Sequence, residues 1–276
     1  MTGTLFIVAT PIGNLDDITF RAFEVLKSVD FVLAEDTRHS KKLLSHLDIS
    51  KPIRAFHEHN EREKTKAIIS EIYSGKSIAL ISDAGTPLIS DPGYFLVAQA
   101  KKEGLKVVPI PGPTALITAL SASGLASDSF TFLGFLPSKQ TARVKLLIGL
   151  VGRTETIIFY ESPKRVLATL TDMQTIFGDS REVCLAKELT KAFETIHTGS
   201  IPNLIEYLTI DQNHQKGEFV ILISATNKID LAEAEIQLDS LLPILCAEMS
   251  TSKAAKIAAK ITGIDKKKCY KRAMDL

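Results

Sequence analysis

Short apolar runs alternate with amphipathic stretches through the first half of this 276-residue chain, and this alternation constrains the fold most strongly. Five runs read as β-strands: Leu5–Ala9, Phe31–Ala34, Ile53–Phe56, Ile78–Ile81 and Val107–Ile110. Leu5–Ala9 and Ile78–Ile81 contain no polar residue, as expected for strands covered on both faces. Because stretches with helical periodicity, such as Ile18–Val29 and Lys64–Tyr73, lie between the runs, the pattern predicts an α/β domain on a largely parallel sheet.

Prolines and a change of pattern set the predicted domain boundaries. Pro109, Pro111 and Pro113 cannot all lie inside a helix or a central strand, so we place a boundary after residue 112. The next strands are predicted closer together, which favours a mixed sheet; they are Phe130–Phe135, Thr156–Tyr160, Glu182–Ala186, Phe193–His197 and Glu218–Ser224. From Asp230 onward only helical patterns remain. We therefore predict α/β domains over residues 1–112 and 113–229 and a small helical module over residues 230–276.

Composition excludes several classes of protein. The 33 Lys and Arg residues nearly balance the 32 Asp and Glu residues, so net charge identifies no partner. Cys184, Cys246 and Cys269 form no CxxC pair, which argues against a zinc ribbon or a disulfide framework and suits a reducing compartment. No apolar run reaches the roughly 18 residues of a membrane span, and the first residues do not resemble a signal peptide. We expect a cytoplasmic protein with neither a membrane nor a DNA partner.

Basic residues concentrate in the predicted helical module. The last 27 residues hold eight Lys and Arg residues against two Asp residues. Ser250 or Ser252 suits a helix N-cap, Gly263 suits a C-cap, and Asp265 suits the N-cap of a further short helix. The module is either a helix-turn-helix-like unit that binds nucleic acid or a terminal helical hairpin packed on the core, and the sequence leaves both open.

Four polar turns follow the first four predicted strands. We call them turn 1 (Thr10–Asn14), turn 2 (Glu35–Ser40), turn 3 (His57–Glu61) and turn 4 (Ser82–Gly93). Ligands of open α/β sheets bind beyond the carboxyl ends of the strands, where these turns are predicted to lie. In turn 4, Gly85 and Gly93 permit positive φ and Pro92 is predicted to begin a helix. Such rigid backbone is suited to main-chain contacts with an adenosine-like ligand.

Familiar nucleotide and metal motifs are missing from the sequence. No GxGxxG fingerprint follows the first strand, and no P-loop occurs. His57 and His59 have no third ligand in view, so we predict no metal site.

Nine stretches occur along the chain in the order found in one bacterial family; they are LFIVATPIGNLDDIT, VLAEDTRHSKKLL, HEHNE, ISDAGTPLISDPG, PIPGPTAL, FLGFLP, FYESPKR, AKELTKAFET and GEFVILI. The series closely resembles the ribosomal RNA small subunit methyltransferase I proteins, a branch of the tetrapyrrole methylase superfamily. The resemblance implies two α/β domains with an S-adenosylmethionine trough between them, and a homodimer. The implied reaction is methylation of the ribose 2′-hydroxyl of a decoding-centre cytidine in 16S rRNA of the small ribosomal subunit.

The resemblance also implies which residues contact the cofactor. They are Pro11, Asp83, Ala84, Gly85, Thr114, Ala115, Tyr160, Leu189 and Phe219. Ser82-Asp83-Ala84 departs from the Gly-Asp-Pro loop of tetrapyrrole enzymes and fits the ribosomal branch.

Methylation of a sugar hydroxyl requires an acceptor for its proton. Our candidates, in order, are His57, Lys187 and Glu188, while Glu35, Asp36, Glu58 and Glu161 remain as carboxylate alternatives. Each of these residues also suits a structural role such as a cap or an ion pair. Candidate RNA contacts are polar or basic side chains near the turns and in the helical module; they are Arg38, His39, Asn60, Arg62, Arg165, Lys267 and Lys271.

Two other functions remain compatible with the sequence. One is a tetrapyrrole, diphthine or other small-molecule methyltransferase on the same scaffold. The other is a non-catalytic RNA-binding assembly protein that uses the cofactor pocket only for stability. The basic tail and the HEHNE and YESPKR stretches argue against a porphyrin substrate.

Overall fold

The computed structural model describes residues 2–226 and 228–276, apart from the side chains of residues 228–231 and 233. The chain divides into two compact units. Unit 1 comprises Met1–Thr118 together with Glu188–Glu194, and unit 2 comprises Ala119–Lys187 together with Thr195–Leu276. Glu188–Glu194 therefore packs with unit 1, although the sequence places it in the predicted second domain.

Unit 1 contains a five-stranded sheet of order β3-β2-β4-β1-β5. Its strands are β1 (Thr4–Val8), β2 (Phe31–Ala34), β3 (Ile53–Ala55), β4 (Ile78–Ile81) and β5 (Lys106–Ile110). Its helices are α1 (Phe20–Ser28), α2 (Thr37–His46), α3 (Glu61–Tyr73), α4 (Tyr94–Lys102) and α5 (Ala115–Ala122), the last ending in unit 2. Every strand pair is parallel, which confirms the predicted sheet and brings turns 1 to 4 to its carboxyl edge.

Both faces of this sheet are buried, which explains the fully apolar strands. Along β4, Ile78 and Leu80 pack into a cluster with helices α3 and α4, while Ala79 and Ile81 pack into a second cluster with helices α1 and α2. Alternate residues of a strand point to opposite faces, so each face requires its own apolar set.

Unit 2 contains a mixed sheet of order β6-β7-β10-β8-β9, as predicted. Its strands are β6 (Phe130–Phe135), β7 (Thr156–Glu161), β8 (Glu182–Lys187), β9 (Thr195–Ser200) and β10 (Phe219–Ile223). Strands β6 and β7 are parallel, and the other pairs are antiparallel. Helices α6 (Gln140–Ile148), α7 (Val166–Phe177) and α8 (Ile201–Ile210) contribute to its core.

The last helices of unit 2 are α9 (Lys228–Glu248), α10 (Thr251–Thr262) and α11 (Lys266–Met274). They share a small core of their own, with Leu238, Leu242 and Cys269 at its centre. The predicted caps at Gly263 and Asp265 are confirmed: Gly263 ends α10 with φ of 72°, and the Asp265 carboxylate accepts N–H bonds from the first turn of α11. Of the two predicted serines, Ser250 is the N-cap residue of α10, but its side chain forms no capping hydrogen bond with the described helix. In the described part of the chain, no helix combines the length and apolarity needed to span a membrane.

One predicted helix start is wrong. Helix α4 begins at Tyr94 with Gly93 as its N-cap, so Pro92 lies before the helix and not in its first turn. Gly93 has φ of 131°, and the buried Glu61 carboxylate accepts the N–H groups of Gly93 and Phe95 at 3.1 and 2.7 Å. The start of α4 is therefore fixed by a contact from α3, which local sequence does not reveal.

Candidate functional site

Turns 1 and 4 are joined by backbone hydrogen bonds at the carboxyl edge of the unit 1 sheet. Thr10 and Gly85 form an isolated antiparallel bridge, with N···O distances of 2.8 and 3.0 Å. The Thr10 hydroxyl also lies 3.2 Å from the Ser82 carbonyl, and the Thr86 hydroxyl donates to the Pro113 carbonyl at 3.0 Å. These bonds hold two predicted cofactor-contacting turns and Pro113 as one rigid frame.

Left-handed backbone conformations concentrate around the same edge. Gly85 has φ of 83°, as predicted from its place in turn 4. Of the five described non-glycine residues with positive φ, two lie in turn 4 and two in Glu188–Glu194; the four are Leu88, Ser90, Glu188 and Thr190. Such conformations cost free energy and persist where surrounding contacts impose them, which is typical of functional sites.

Turn 2 is tied to turn 4 through a carboxylate. The Asp83 Oδ1 accepts the backbone N–H of Asp36 at 3.0 Å. The Asp36 carboxylate also caps α2 and pairs with Arg38, whose guanidinium lies 2.9 Å away. Hydrogen bonds from Arg38 lower the pKa of Asp36 to about 2, so Asp36 is a poor proton acceptor.

Three carboxylates of turns 2 and 4 lie close enough to influence one another. Burial raises the pKa of Asp91 to about 6, opposed by a hydrogen bond from Ser82 and reinforced by the charges of Glu35 and Asp83. Burial and the charge of Asp83 also raise the pKa of Glu35, while His57 acts in the opposite direction. We call Glu35, Asp83 and Asp91 the acidic cluster. Like charges in a partly buried site favour a bound cation.

Turn 3 places its polar residues around His57. The Asn60 side chain contacts both the backbone and the ring of His57, and the ring of His59 lies edge-on with centroids 6.0 Å apart. Arg62 is exposed and its guanidinium lies over the Phe95 ring, 4.2 Å from the centroid. Turn 3 thereby connects to the start of α4, which follows turn 4.

Glu188–Glu194 contacts turn 1 within unit 1. The Asn14 N–H donates to the Thr190 hydroxyl at 3.1 Å. A Cβ at Gly13 would lie 2.6 Å from the Lys191 side chain and 2.8 Å from the Thr190 hydroxyl, so only glycine permits this approach. Leu189 is buried beside this contact, and the Glu188 carboxylate pairs with Lys191 at 2.8 Å. Two predicted site residues, Leu189 and Glu188, therefore join the turn 1 region.

The remaining predicted residues of unit 1 lie near the same turns. Pro11 is buried in turn 1, and Ala84 is exposed in turn 4. Ala115 is the first residue of α5 and Thr114 immediately precedes it, with the Thr114 carbonyl accepting a hydrogen bond from the Thr118 hydroxyl. Unit 1 thus gathers seven of the predicted cofactor contacts; they are Pro11, Asp83, Ala84, Gly85, Thr114, Ala115 and Leu189.

In unit 2, the side chains of three predicted site residues pack against other side chains or form a hydrogen bond within the unit. Phe219 is 2% exposed within the core, so any ligand contact there must use its main chain. The Tyr160 ring packs edge-on against Phe132 and Phe135. The buried Lys187 ammonium donates to the Asn213 carbonyl at 2.8 Å.

The predicted RNA contacts of unit 2 differ in their surroundings. Arg165 forms a 2.6 Å ion pair with Glu161, whose carboxylate is fully buried and also bonds to Ser162 and Thr169. Lys267 and Lys271 are exposed on α11. The neighbouring Lys268 and Arg272 pair with Glu235 and Asp239 of α9, so part of the basic surface holds the helices together.

Comparison with known proteins covers nearly the whole chain. The model of the tetrapyrrole (corrin/porphyrin) methylases matches residues 4–205, and that of the RsmI C-terminal HTH domain matches residues 232–276. Ribosomal RNA small subunit methyltransferase I of Vibrio cholerae is 50% identical over 98% of this chain and 94% of its own length. The protein of that name from Pseudomonas aeruginosa is 50% identical over 99% of this chain and 97% of its own.

This chain belongs to the ribosomal RNA small subunit methyltransferase I family. It is therefore a methyltransferase with S-adenosylmethionine as methyl donor. Solved structures confirm the tetrapyrrole methylase fold. Uroporphyrin-III-C-methyltransferase from Thermus thermophilus aligns with a TM-score of 0.56 at 17% identity, over 80% of this chain and 94% of that one. A cobalt-precorrin-4 methyltransferase aligns with a TM-score of 0.60 at 18% identity, with the same shares covered.

The turns of this methyltransferase I chain fit the cofactor chemically. S-adenosylmethionine carries a positive sulfonium and a positive ammonium group, and the acidic cluster supplies carboxylates that a cation would stabilise in their ionised forms. The Thr10–Gly85 bridge presents rigid backbone beside them. Asp91, which the sequence suggests only as part of a helix start, joins the acidic cluster in the structure. The second Ser-Asp pair in turn 4 was the available signal.

Proposed function

We propose that this chain transfers a methyl group from S-adenosylmethionine to the ribose 2′-hydroxyl of a decoding-centre cytidine in 16S rRNA of the small ribosomal subunit. The observation that carries the proposal is about 50% identity, over nearly the whole of both chains, to proteins named ribosomal RNA small subunit methyltransferase I. That similarity includes the C-terminal helices. We further propose a cytoplasmic homodimer and the domain division 1–112, 113–229 and 230–276.

The chain's own residues would perform three tasks in this reaction. The bridged turns 1 and 4 would hold the donor, with Asp83 and Gly85 in contact with it; the donor supplies an electrophilic methyl group on sulfur. The frame would align that methyl group with the sugar oxygen, so that positioning supplies much of the rate. A carboxylate of the acidic cluster, Asp91 or Glu35, would accept the hydroxyl proton.

The sequence-based candidates for the proton acceptor remain His57, Lys187 and Glu188. The Lys187 ammonium is engaged by the Asn213 carbonyl, and the Glu188 carboxylate by Lys191. Both contacts occupy the group that would take the proton, so we propose a carboxylate of the acidic cluster as the acceptor ahead of either residue.

Exposed basic groups supply the surface for RNA. In unit 1, Arg38 has 88% of its side chain exposed, and His39 and Arg62 are exposed beside turns 2 and 3. In unit 2, Lys267 and Lys271 are exposed on α11. We propose that these groups contact phosphates, which would position the RNA without reading its sequence.

A methyl-transfer assay tests the proposed function. Purified protein is incubated with methyl-labelled S-adenosylmethionine and small subunits from a strain that lacks the gene, and a parallel reaction receives uroporphyrinogen III. We expect label in 2′-O-methylcytidine at one decoding-centre position. Label in the tetrapyrrole, or none in either substrate, would overturn the proposal. Persistence of the rRNA methyl group after deletion of the gene would support a non-catalytic RNA-binding role.

A further inference from the structure

The side-chain amide of Asn60 contacts His57 at two points, and together these contacts determine its orientation. Its Oδ1 lies 3.0 Å from the backbone nitrogen of His57, and its Nδ2 lies 2.9 Å from the ring Nε2. A backbone N–H can only donate, so the amide oxygen must face it. The reversed amide would place two donors against each other at the backbone. The amide NH2 group therefore faces the imidazole ring.

This orientation determines the protonation of the neutral His57 ring. An amide NH2 group only donates, so Nε2 must accept and carries no proton. The single proton of the neutral imidazole then lies on Nδ1. Nδ1 is buried, and no hydrogen-bond partner for it is found among the described residues.

His57 lies among the groups proposed to act on the substrate. It lies close enough to Glu35 of the acidic cluster to influence the pKa of that carboxyl, and the His59 ring lies edge-on to it. The backbone around it is fixed as well, because the His57 carbonyl accepts the N–H groups of Asn60 and Glu61, both at 2.9 Å. The Lys64 ammonium donates to the Ala55 carbonyl at 2.8 Å and holds the end of β3. Ring and backbone are thus held by the same turn.

We propose that Asn60 is a positioning residue that holds His57 as the Nδ1–H tautomer, so that neither ring nitrogen of His57 accepts the substrate proton: Nε2 is engaged by the Asn60 NH2 group, and Nδ1 is protonated and buried. The inference rests on the proposed function for its catalytic part. A proton arriving at Nε2 would face the Asn60 NH2 group, donor against donor, and the ring would have to leave its present contact. The hydroxyl proton of the substrate then passes to a carboxylate oxygen of the acidic cluster.

Nitrogen NMR of the full chain tests the tautomer without any assay of activity. The protein is labelled with nitrogen-15 at histidine, and long-range proton–nitrogen correlations are recorded at pH 8. The signal of His57 is assigned by its loss in His57→Gln. We expect a protonated Nδ1 and an unprotonated Nε2. A protonated Nε2, or a single averaged pattern, would overturn the proposal.

Asn60→Asp is expected to exchange the donor and acceptor roles at the His57 ring while it preserves the hydrogen bond to the His57 backbone. A carboxylate oxygen still accepts the His57 backbone N–H, but the second oxygen now requires a proton on Nε2. We expect the ring proton to move to Nε2. The matched control is Asn203→Asp, which adds the same charge at an exposed position of α8 and is expected to leave the His57 pattern unchanged.

The pH profile of methylation tests whether His57 accepts the substrate proton. If it does not, Asn60→Asp leaves the pH of half-maximal methylation rate unchanged. If His57 were the base, a carboxylate beside Nε2 would support the protonated ring and shift that pH upward, so such a shift would overturn the proposal. Failure of the unaltered protein to methylate RNA would contradict the proposed function alone, since the NMR result would stand.

Discussion

At the residue scale, the buried carboxyl group of Asp91 lowers the stability of the native protein in the absence of a cationic ligand. Its pKa is raised to about 6 mainly by burial, so the ionised form is disfavoured in the native state. The charges of Glu35 and Asp83 add to this effect. A bound cation would offset this penalty, whereas the protein alone must tolerate it.

Asp91→Asn is expected to stabilise the protein without ligand at pH 7.5 by about 1 kcal/mol, after allowance for solvent screening. The folded-state pKa lies above the ordinary value of 3.8, so the unfolded chain binds fewer protons between about pH 4 and about pH 6. The free energy of unfolding of the unaltered protein therefore falls as the pH rises through this window. Thermal unfolding at pH 4.5 and pH 7.5 checks the sign: the advantage of the variant should be smaller at pH 4.5. An equal advantage at both values would show that the buried carboxylate is not the cause.

Gly85→Val is expected to weaken S-adenosylmethionine binding by at least about tenfold, measured by calorimetry. The backbone at Gly85 has φ of 83°, and a Cβ would lie 3.4 Å from Ile12 and 3.7 Å from the Pro113 carbonyl. The Cβ itself makes only ordinary contacts there, but the two further methyl groups of valine extend beyond it into the space between turns 1 and 4 and are expected to shift turn 4 against turn 1. Gly104→Val is the control, because Gly104 has φ of 69° and a Cβ added there would meet nothing within 4 Å. Both variants should lose stability, by about 1 kcal/mol or more from backbone conformation, but only the change at Gly85 should alter affinity.

At the element scale, the contact between α3 and α4 shows how neighbouring helices fix the turns between strands. Glu61 begins α3, is 4% exposed, and accepts two N–H groups at the start of α4. Those N–H groups have no partner within α4 because they lie in its first turn. The end of turn 4 is thereby held by the residue that closes turn 3.

Glu61→Ala is expected to lower the free energy of unfolding by about 2 kcal/mol or more, because two N–H groups lose their acceptor. Glu61→Gln keeps an acceptor oxygen and should cost less. Glu63→Ala, at an exposed position of the same helix, should change stability by less than about 0.5 kcal/mol. Urea unfolding of the three variants provides the comparison. Equal losses for Glu61→Ala and Glu63→Ala would show that the buried contact does not stabilise α4.

At the scale of the whole molecule, the residues proposed to hold the cofactor and those proposed to bind RNA are separated along the chain. Residues that would hold the donor gather at the carboxyl edge of the unit 1 sheet, whereas the densest basic segment lies in the last helices of unit 2. In those helices Lys268 and Arg272 pair with acidic residues of α9, while Lys267 and Lys271 are exposed. Cofactor binding and RNA binding are therefore expected to respond to different substitutions.

Lys267→Glu combined with Lys271→Glu is expected to leave S-adenosylmethionine affinity unchanged and to weaken RNA binding. If both residues contact phosphates, the slope of log affinity against log salt should fall by about 2. Lys101→Glu with Lys102→Glu makes the same charge change at exposed positions of α4 and serves as control. An unchanged slope in the first variant would remove α11 from the RNA surface. Truncation after Asn227, which lies outside the described residues, is expected to act in the same direction and more strongly.

Local sequence was sufficient for most of the secondary structure and for the edge of the sheet that carries the four turns. Phe31–Ala34, Ile78–Ile81 and Phe130–Phe135 are strands at the predicted bounds, because apolar runs bounded by turn residues depend on neighbours in sequence. The parallel sheet followed from the alternation of strands and helices. The family followed from nine long stretches in order, and the comparisons confirm it.

Tertiary structure alone decided which side chains meet. The bridge between Thr10 and Gly85 and the packing of Glu188–Glu194 with unit 1 join residues far apart in the chain. The raised pKa of Asp91 comes from burial and from neighbouring charges, and the start of α4 comes from Glu61. Periodicity and turn chemistry record only local preferences, whereas burial, charge coupling and caps between helices arise when separate segments come into contact.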